Sequence, residues 1–423
     1  MCGNKNTDGE NFMIILRPYQ ITLAAQGLAV LRQHGLVYIS AAVRTGKTHT
    51  SLEIARQYRT KHVLFLTKKL AIKSILSDYA AGEYPFKITV TNYENIHKTP
   101  TADVDLFVLD ECHNLSQFPI PALRTKRLKA IVGYKPVIFL SATPVAEGYS
   151  KIFHQLWISA RAPYGQYRNF YAWWHAGYVD VFQEKRGAFL VNNYTRADEE
   201  RIKKDIAPIL LTLSQDDAGF ICPVTERFIE VEDPLIPAMI KKLFKDRILH
   251  YENETILADS PGKLLGKCHQ ISGGTCKTES GKAFIFSQKK AEKIKELFAG
   301  KKICIFYQFI KELEVLKNVF GEQITQSPEV FQASKDKIFV GQFISAKEGL
   351  ALHTADAIVM YNISYSATTY FQSRARLQAL ERTKPAEIYW MFTRGGLEKR
   401  VWKAVSNKLN FTYSFLVRSG GVC

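Results

Sequence analysis

Four stretches of this 423-residue chain are apolar along almost their whole length and no longer than a strand: Leu36–Ala41, His62–Thr67, Leu106–Asp110 and Val137–Ser141. A strand with one wet face alternates apolar and polar residues. A continuous run means that both faces are dry, as in a parallel sheet covered by helices on either side. The helical stretches Thr48–Tyr58 and Lys69–Tyr79 fall between such runs, and Lys87–Thr91 reads as a further strand. The alternation predicts an α/β lobe over residues 1–160. It resumes near Lys282, with strands at Lys302–Tyr307, Lys337–Val340, Asp356–Tyr361 and Glu387–Phe392 and helices at Ile310–Phe320, Thr368–Leu380 and Leu397–Leu409. Residues 281–423 are therefore expected to form a second α/β lobe. Residues 161–280 lack this rhythm. They carry an aromatic run (Tyr164, Tyr167, Phe170, Tyr171, Trp173, Trp174) and charged helical segments, and are expected as a mostly helical link.

Bulk properties narrow the classes. At 46% hydrophobic and 12% aromatic the chain can bury large cores, which excludes a disordered chain. No apolar run is long enough to span a bilayer, and the polar N-terminus carries no signal segment, so no membrane partner and a cytoplasmic setting are expected. Seven irregularly spaced cysteines fit reduced thiols. Cys268, His269 and Cys276 form one cluster resembling metal ligands, but without a second ligand pair ordinary packing is the expectation. The net charge is +17, distributed as +7 over residues 1–150, zero over 151–280 and +10 over 281–423. Two basic lobes around a neutral middle suit a shared polyanion such as a nucleic-acid backbone.

Ala41-Ala42-Val43-Arg44-Thr45-Gly46-Lys47-Thr48 lies where a buried strand turns into a helix. Backbone amides there favour a phosphate, Lys47 suits the β/γ oxygens, and the Thr48 hydroxyl suits Mg²⁺. Ala41 and Arg44 stand where such loops usually carry glycine. Downstream, Asp105–His113 is a buried strand ending in two carboxylates. On a parallel sheet that end opens into the same crevice as the phosphate loop. Asp110 is thus a candidate Mg²⁺ ligand and Glu111 a candidate base for an attacking water.

In this order the elements resemble a superfamily 2 helicase of the DExH type, with Asp110-Glu111-Cys112-His113 as its box. Leu16-Arg17-Pro18-Tyr19-Gln20 resembles the adenine-reading motif, which implies base contacts from Gln20 beside Arg17. Ser141-Ala142-Thr143-Pro144 is similar to motif III, which implies that Ser141 and Thr143 couple hydrolysis to movement. Phe343–Leu350, with Gly349, resembles motif V. Gln372–Arg382 resembles motif VI, which implies an arginine finger. Arg376 is the first assignment, with Arg374 and Arg382 as alternatives, because Ala379 stands where the family's second arginine would fall. Leu16–Gln20 and Leu264–Gly273 bring the chain nearest to Swi/Snf-type DNA translocases, and its compactness resembles phage-encoded members, acting in the host cytoplasm.

The resemblance implies two tandem RecA-like lobes that bind ATP and Mg²⁺ in a shared cleft. Arg44, Thr45, Gly46, Lys47, Thr48 and His113 would come from the first lobe, and Gly349 and Gln372 from the second. It also places nucleic-acid contacts at Lys68 and Lys69 (motif Ia), Asn92 and Tyr93 (motif Ib), and Tyr307 and Gln308 (motif IV). The expected activity is ATP-driven movement on duplex or branched DNA, in replication, recombination or repair, by a core that can act as a monomer. An RNA helicase with the same motor and an ATPase-silent nucleic-acid scaffold stay open as alternatives.

Overall fold

The computed structural model describes residues 15–142, 145, 148–186, 189–219, 224–343, 354–366, 369–370 and 386–407. The chain divides into two compact units at Gly219. Thr143, Gly349, Gln372, Arg374, Arg376 and Arg382 lie outside the described residues.

The first unit holds strands β1 (Leu36–Ala41), β2 (His62–Thr67), β3 (Lys87–Asn92), β4 (Leu106–Asp110) and β5 (Val137–Ser141). It also has a hairpin of β6 (Val179–Arg186) and β7 (Phe189–Ala197), and β8 (Leu210–Leu213). Its helices include α1 (Pro18–His34), α2 (Lys47–Tyr58), α3 (Ile72–Ala81), α4 (Leu123–Val132) and α5 (Ile152–Trp157). Six strands form one sheet in the order β3-β2-β4-β5-β1-β8, and every pair is parallel. The continuous apolar runs have the predicted cause. Leu36, Tyr38, Leu64 and Leu66 point into one core, while Val37, Ile39, Val63 and Phe65, offset by one residue, point into the other. With a side-chain period of two and both faces covered, the strand interiors are apolar on both sides and polar residues gather at the strand ends.

The second unit repeats the plan. Its main sheet contains β9 (Val224–Val231), β14 (Ile303–Tyr307), β15 (Ile324–Thr325), β16 (Ile338–Gln342), β17 (Ala357–Met360) and β18 (Ala386–Thr393), in the order β15-β16-β14-β17-β18-β9. All of these pairs are parallel too. Two small hairpins, β10 (Ile248–Tyr251) with β11 (Glu254–Leu257) and β12 (Thr275–Lys277) with β13 (Ala283–Ile285), precede β14. Cys304 and Phe306 face one core, Ile303 and Ile305 the other. Both units are therefore RecA-like parallel sheets, the fold class expected.

The stretch 161–280 differs from its expectation as a mostly helical link. It contributes seven strands, and the boundary between the units falls inside it. Tyr164, Phe170, Trp173 and Tyr178 complete the core that contains Tyr38 and Phe107, with Tyr167 and Trp174 packed against it and Tyr171 exposed. Strand β8 extends the first sheet beside β1, and β9 extends the second beside β18. Charged residues hid β9: Arg227 pairs with Glu387 at 3.0 Å along its length, a cross-strand compensation that composition does not reveal. Among the described residues, no helix is long and apolar enough to cross a membrane.

Candidate nucleotide site

The strand-to-helix turn 42–46 is shaped by two left-handed residues, Arg44 (φ 66°) and Gly46 (φ 77°). Glycine at 46 is required twice. Its φ disfavours a side chain, and a Cβ there would lie 1.9 Å from Gln20 Nε2. Gln20, in the first turn of α1, fills that gap. Its Oε1 accepts from Arg17 N at 2.8 Å, and its Nε2 donates to Thr45 O at 3.3 Å. The glutamine expected from its motif as a base contact thus also braces the phosphate turn. Arg17 Nη1 donates to Tyr19 Oη at 3.4 Å.

Lys47 opens α2 and folds back over the turn, donating to Ala41 O at 2.9 Å and Ala42 O at 3.0 Å. Burial pulls its ammonium below the ordinary lysine value, while Glu111 and Asp110 nearby oppose that shift. Thr45 Oγ1 donates to Ala42 O at 2.8 Å, closing the turn on itself. Thr48 follows in the first helical turn and is half-buried.

Asp110 is the last residue of β4, and one of its oxygens accepts from Thr67 Oγ1 at 2.8 Å. Thr67 ends β2, the neighbouring strand, so two strand ends meet at this carboxylate. Glu111 comes next with φ 50°. Its Oε2 lies 3.1 Å from His113 Nδ1, which in turn lies 3.2 Å from Ser141 Oγ at the end of β5. The adjacent carboxylates are pushed apart in acidity. Burial and the Glu111 charge raise Asp110, against the Thr67 hydrogen bond and Lys47. Burial also acts on Glu111, but the hydrogen bond and charge of His113, with Lys68 and Lys47, outweigh it and hold Glu111 well below the ordinary carboxylate range. Two carboxylates with separated acidities are the arrangement that divides roles between neighbouring acids.

The structure thus brings Lys47, Asp110, Glu111, His113 and Ser141 to the C-terminal edge of one sheet, with Thr67 among them. The hydroxyl of Thr48 and the carboxylate of Asp110 are the hard oxygen donors that Mg²⁺ takes, so the residues fit that ion. Among the described residues, no group of three or more His, Cys, Asp or Glu is arranged to hold a metal by itself. Cys268 and Cys276 are buried in the second unit's core, and His269 Nε2 meets Asn362 Oδ1 at 2.7 Å.

The expected nucleic-acid contacts separate into two kinds. Lys68 and Lys69 follow β2, with Lys69 exposed. Tyr93 is a correction. It is 2% exposed, and its Oη donates to Asp110 O at 2.7 Å, so it supports the carboxylate strand and offers no ring to a strand of nucleic acid. Asn92 is likewise buried, with Oδ1 accepting from Asn95 N at 3.1 Å. Tyr307 is buried at the end of β14. Gln308 is half-buried and tied through its backbone, N to Glu312 Oε2 at 2.8 Å and O from Gln342 Nε2 at 2.9 Å. Sequence patterns pass over Thr67 as an Asp110 partner, and over Tyr38 and Gln155 altogether. Thr67 lies 43 residues from its partner, and Tyr38 and Gln155 lie 117 apart, so no local pattern marks them.

No protein-family model matches the chain. A Caenorhabditis elegans chromodomain-helicase-DNA-binding protein 3 homolog is 20% identical over 92% of this chain and 22% of its own length. The Arabidopsis thaliana protein CHROMATIN REMODELING 4 is 22% identical over 80% of this chain and 16% of its own. The chain thus spans about a fifth of the length of these relatives. Among solved structures, the Hef helicase domain of Pyrococcus furiosus matches with TM-score 0.51 at 14% identity, over 92% of this chain and 97% of that one. These likenesses show the fold, two RecA-like sheets, and a sequence similarity to a chromodomain-helicase-DNA-binding protein homolog and a chromatin-remodelling protein.

Proposed function

We propose that the chain is an ATP-hydrolysing motor that moves along DNA. The observation that carries this reading is the convergence of Lys47, Asp110 and Glu111 on one sheet edge, with Thr67 and His113 holding the two carboxylates in different states. ATP would bring phosphate oxygens to Lys47, whose hydrogen bonds in this structure go to backbone carbonyls. On binding, Lys47 exchanges the carbonyls of Ala41 and Ala42 for phosphate oxygens, and the amides at the start of α2 face the same group. Thr48 and Asp110 would hold Mg²⁺, which would supply charge neutralisation on the phosphates. Glu111, kept ionised by His113, orients a water and accepts its proton. Ser141, touching His113, is placed to relay the change at Glu111 to the chain that follows β5. From the second unit, Arg376 is assigned to the γ-phosphate on motif resemblance, with Arg374 and Arg382 as alternatives.

DNA is favoured over RNA by the names of the relatives, one a helicase-DNA-binding protein and one a chromatin-remodelling protein. The test is phosphate release by the full chain against linear duplex, forked and single-stranded DNA and against RNA, with Lys47→Ala as control. Stimulation by duplex or forked DNA, lost in Lys47→Ala, is the expected result. Stimulation by RNA alone would turn the reading to an RNA motor. Turnover unchanged by Lys47→Ala would remove the nucleotide site.

A further inference from the structure

Behind the carboxylate turn is a dry polar cluster that the scheme above does not use. Gln155 of α5 accepts at Oε1 from Tyr38 Oη at 2.6 Å. Its Nε2 donates to Ser116 Oγ at 2.8 Å and to Lys151 O at 3.1 Å. Cys112 Sγ donates to Tyr38 Oη at 3.1 Å and lies 3.5 Å from Gln155 Oε1. Gln155 and Cys112 are fully buried and Tyr38 is 2% exposed. A buried amide engaged at both ends has one orientation, because turning it strands a donor or an acceptor away from water.

The placement of this cluster gives it a consequence. Cys112 and Ser116 bracket the single 3-10 turn, Cys112–Leu115, that follows Glu111 and carries His113. Glu111 occupies a left-handed backbone region that a side-chain-bearing residue adopts at a cost, so its direction depends on what holds the turn after it. Gln155 holds both flanks of that turn. Through Tyr38 it also ties the turn to β1, the strand that ends at the phosphate loop. Tyr38 itself is fixed by stacking on Phe139 of β5, with ring centroids 5.6 Å apart.

We infer that Gln155 is a positioning residue for ATP hydrolysis: acting through Tyr38, Cys112 and Ser116, it sets the aim of Glu111 relative to the phosphate loop. This rests on the hydrolytic reading above. A glutamine serving only to satisfy Tyr38 would affect stability alone, whereas a positioning residue changes the rate of the chemical step and leaves ATP affinity in place.

The test uses the full chain with linear duplex DNA, measuring kcat and KM for ATP alongside the melting temperature of each variant. Gln155→Met removes the amide at similar volume. Tyr38→Phe removes one hydroxyl and keeps the stacked ring, so it preserves the fold even if the first variant does not. Each is expected to lower kcat about tenfold with KM within about twofold, and the double variant to fall no further, because the two act as one unit. The inference is overturned if folded Tyr38→Phe keeps wild-type kcat, if either loss appears in KM alone, or if the two losses multiply. Absence of ATP hydrolysis in the wild-type chain would instead overturn the motor reading, and this inference with it.

Discussion

The two units share a six-stranded parallel sheet, but among the described residues the charges at its C-terminal edge are held in different ways. In the first unit Asp110 and Lys47 take their hydrogen bonds from neutral neighbours, Thr67 on Asp110 and backbone carbonyls on Lys47, while Glu111 lies against His113. In the second, two described pairs of contacts beside the corresponding strand ends hold charges against each other, the backbone or an amide. Lys290 Nζ meets Glu398 Oε1 at 2.7 Å with both side chains buried, and donates to Tyr361 O at 3.1 Å. Glu312 accepts from Gln308 N and Phe309 N at 2.8 and 2.9 Å and from Asn362 Nδ2 at 2.5 Å. A cation resting on carbonyls can exchange them for a phosphate. A carboxylate that already accepts three bonds braces loops and has little left to offer a ligand. Among the described residues, one fold therefore yields exchangeable contacts at the first unit's edge and bracing contacts at the second's.

The largest expected effect tests the chemical side. Glu111→Gln should lower DNA-stimulated kcat by at least ~100-fold while ATP still binds, since it removes the proton acceptor and leaves the phosphate loop intact; nucleotide titration alongside phosphate release checks this. A variant that retained near-normal turnover would break the contrast. On the structural side, Lys290→Met leaves Glu398 buried without its cation and should cost about 3–5 kcal/mol, read by denaturant unfolding. A loss of ATP affinity in the first unit, without a loss of stability, would contradict the assignment.

The pH response sharpens the same contrast. Burial pushes Glu312 up to about 7, against the hydrogen bonds of Phe309, Asn362 and Gln308 and the charge of Lys290. A folded-state pKa above the unfolded value means that its contribution to stability is full below about pH 4.5 and is lost as pH rises through about 7. Thermal melts from pH 5.5 to 8 should show the second unit falling by a few degrees, since ~1 kcal/mol moves a domain of this size by ~2–4 °C. Glu312→Gln should flatten that slope. The smallest effect concerns Tyr93. Tyr93→Phe should cost about 1 kcal/mol of stability, the worth of one hydrogen bond, and leave DNA affinity unchanged in a binding titration. Weakened binding would restore Tyr93 as a nucleic-acid contact.

Much of the site is legible in the sequence itself. The phosphate turn and the Asp110–Glu111 pair each lie within a few consecutive residues, and dry strands announce themselves by unbroken apolar runs. Tyr93 misleads because a tyrosine after a strand looks the same whether its ring faces solvent or, as here, its hydroxyl supports Asp110 O. The segment 161–280 misleads because edge strands such as β9 carry charges whose compensation lies on another strand, Arg227 against Glu387.

Local chemistry specifies what is written in neighbouring residues: strand, turn, helix, and the groups proposed to meet a phosphate. Packing assigned everything that depends on which element lies beside which. It set Thr67 against Asp110 across 43 residues and Tyr38 against Gln155 across 117, and it distributed one aromatic segment to the first core. The physical reason is that periodicity reports how dry a face is, while the identity of the partner across it depends on strand order. That order arises only when the two layers of helices close on the sheet.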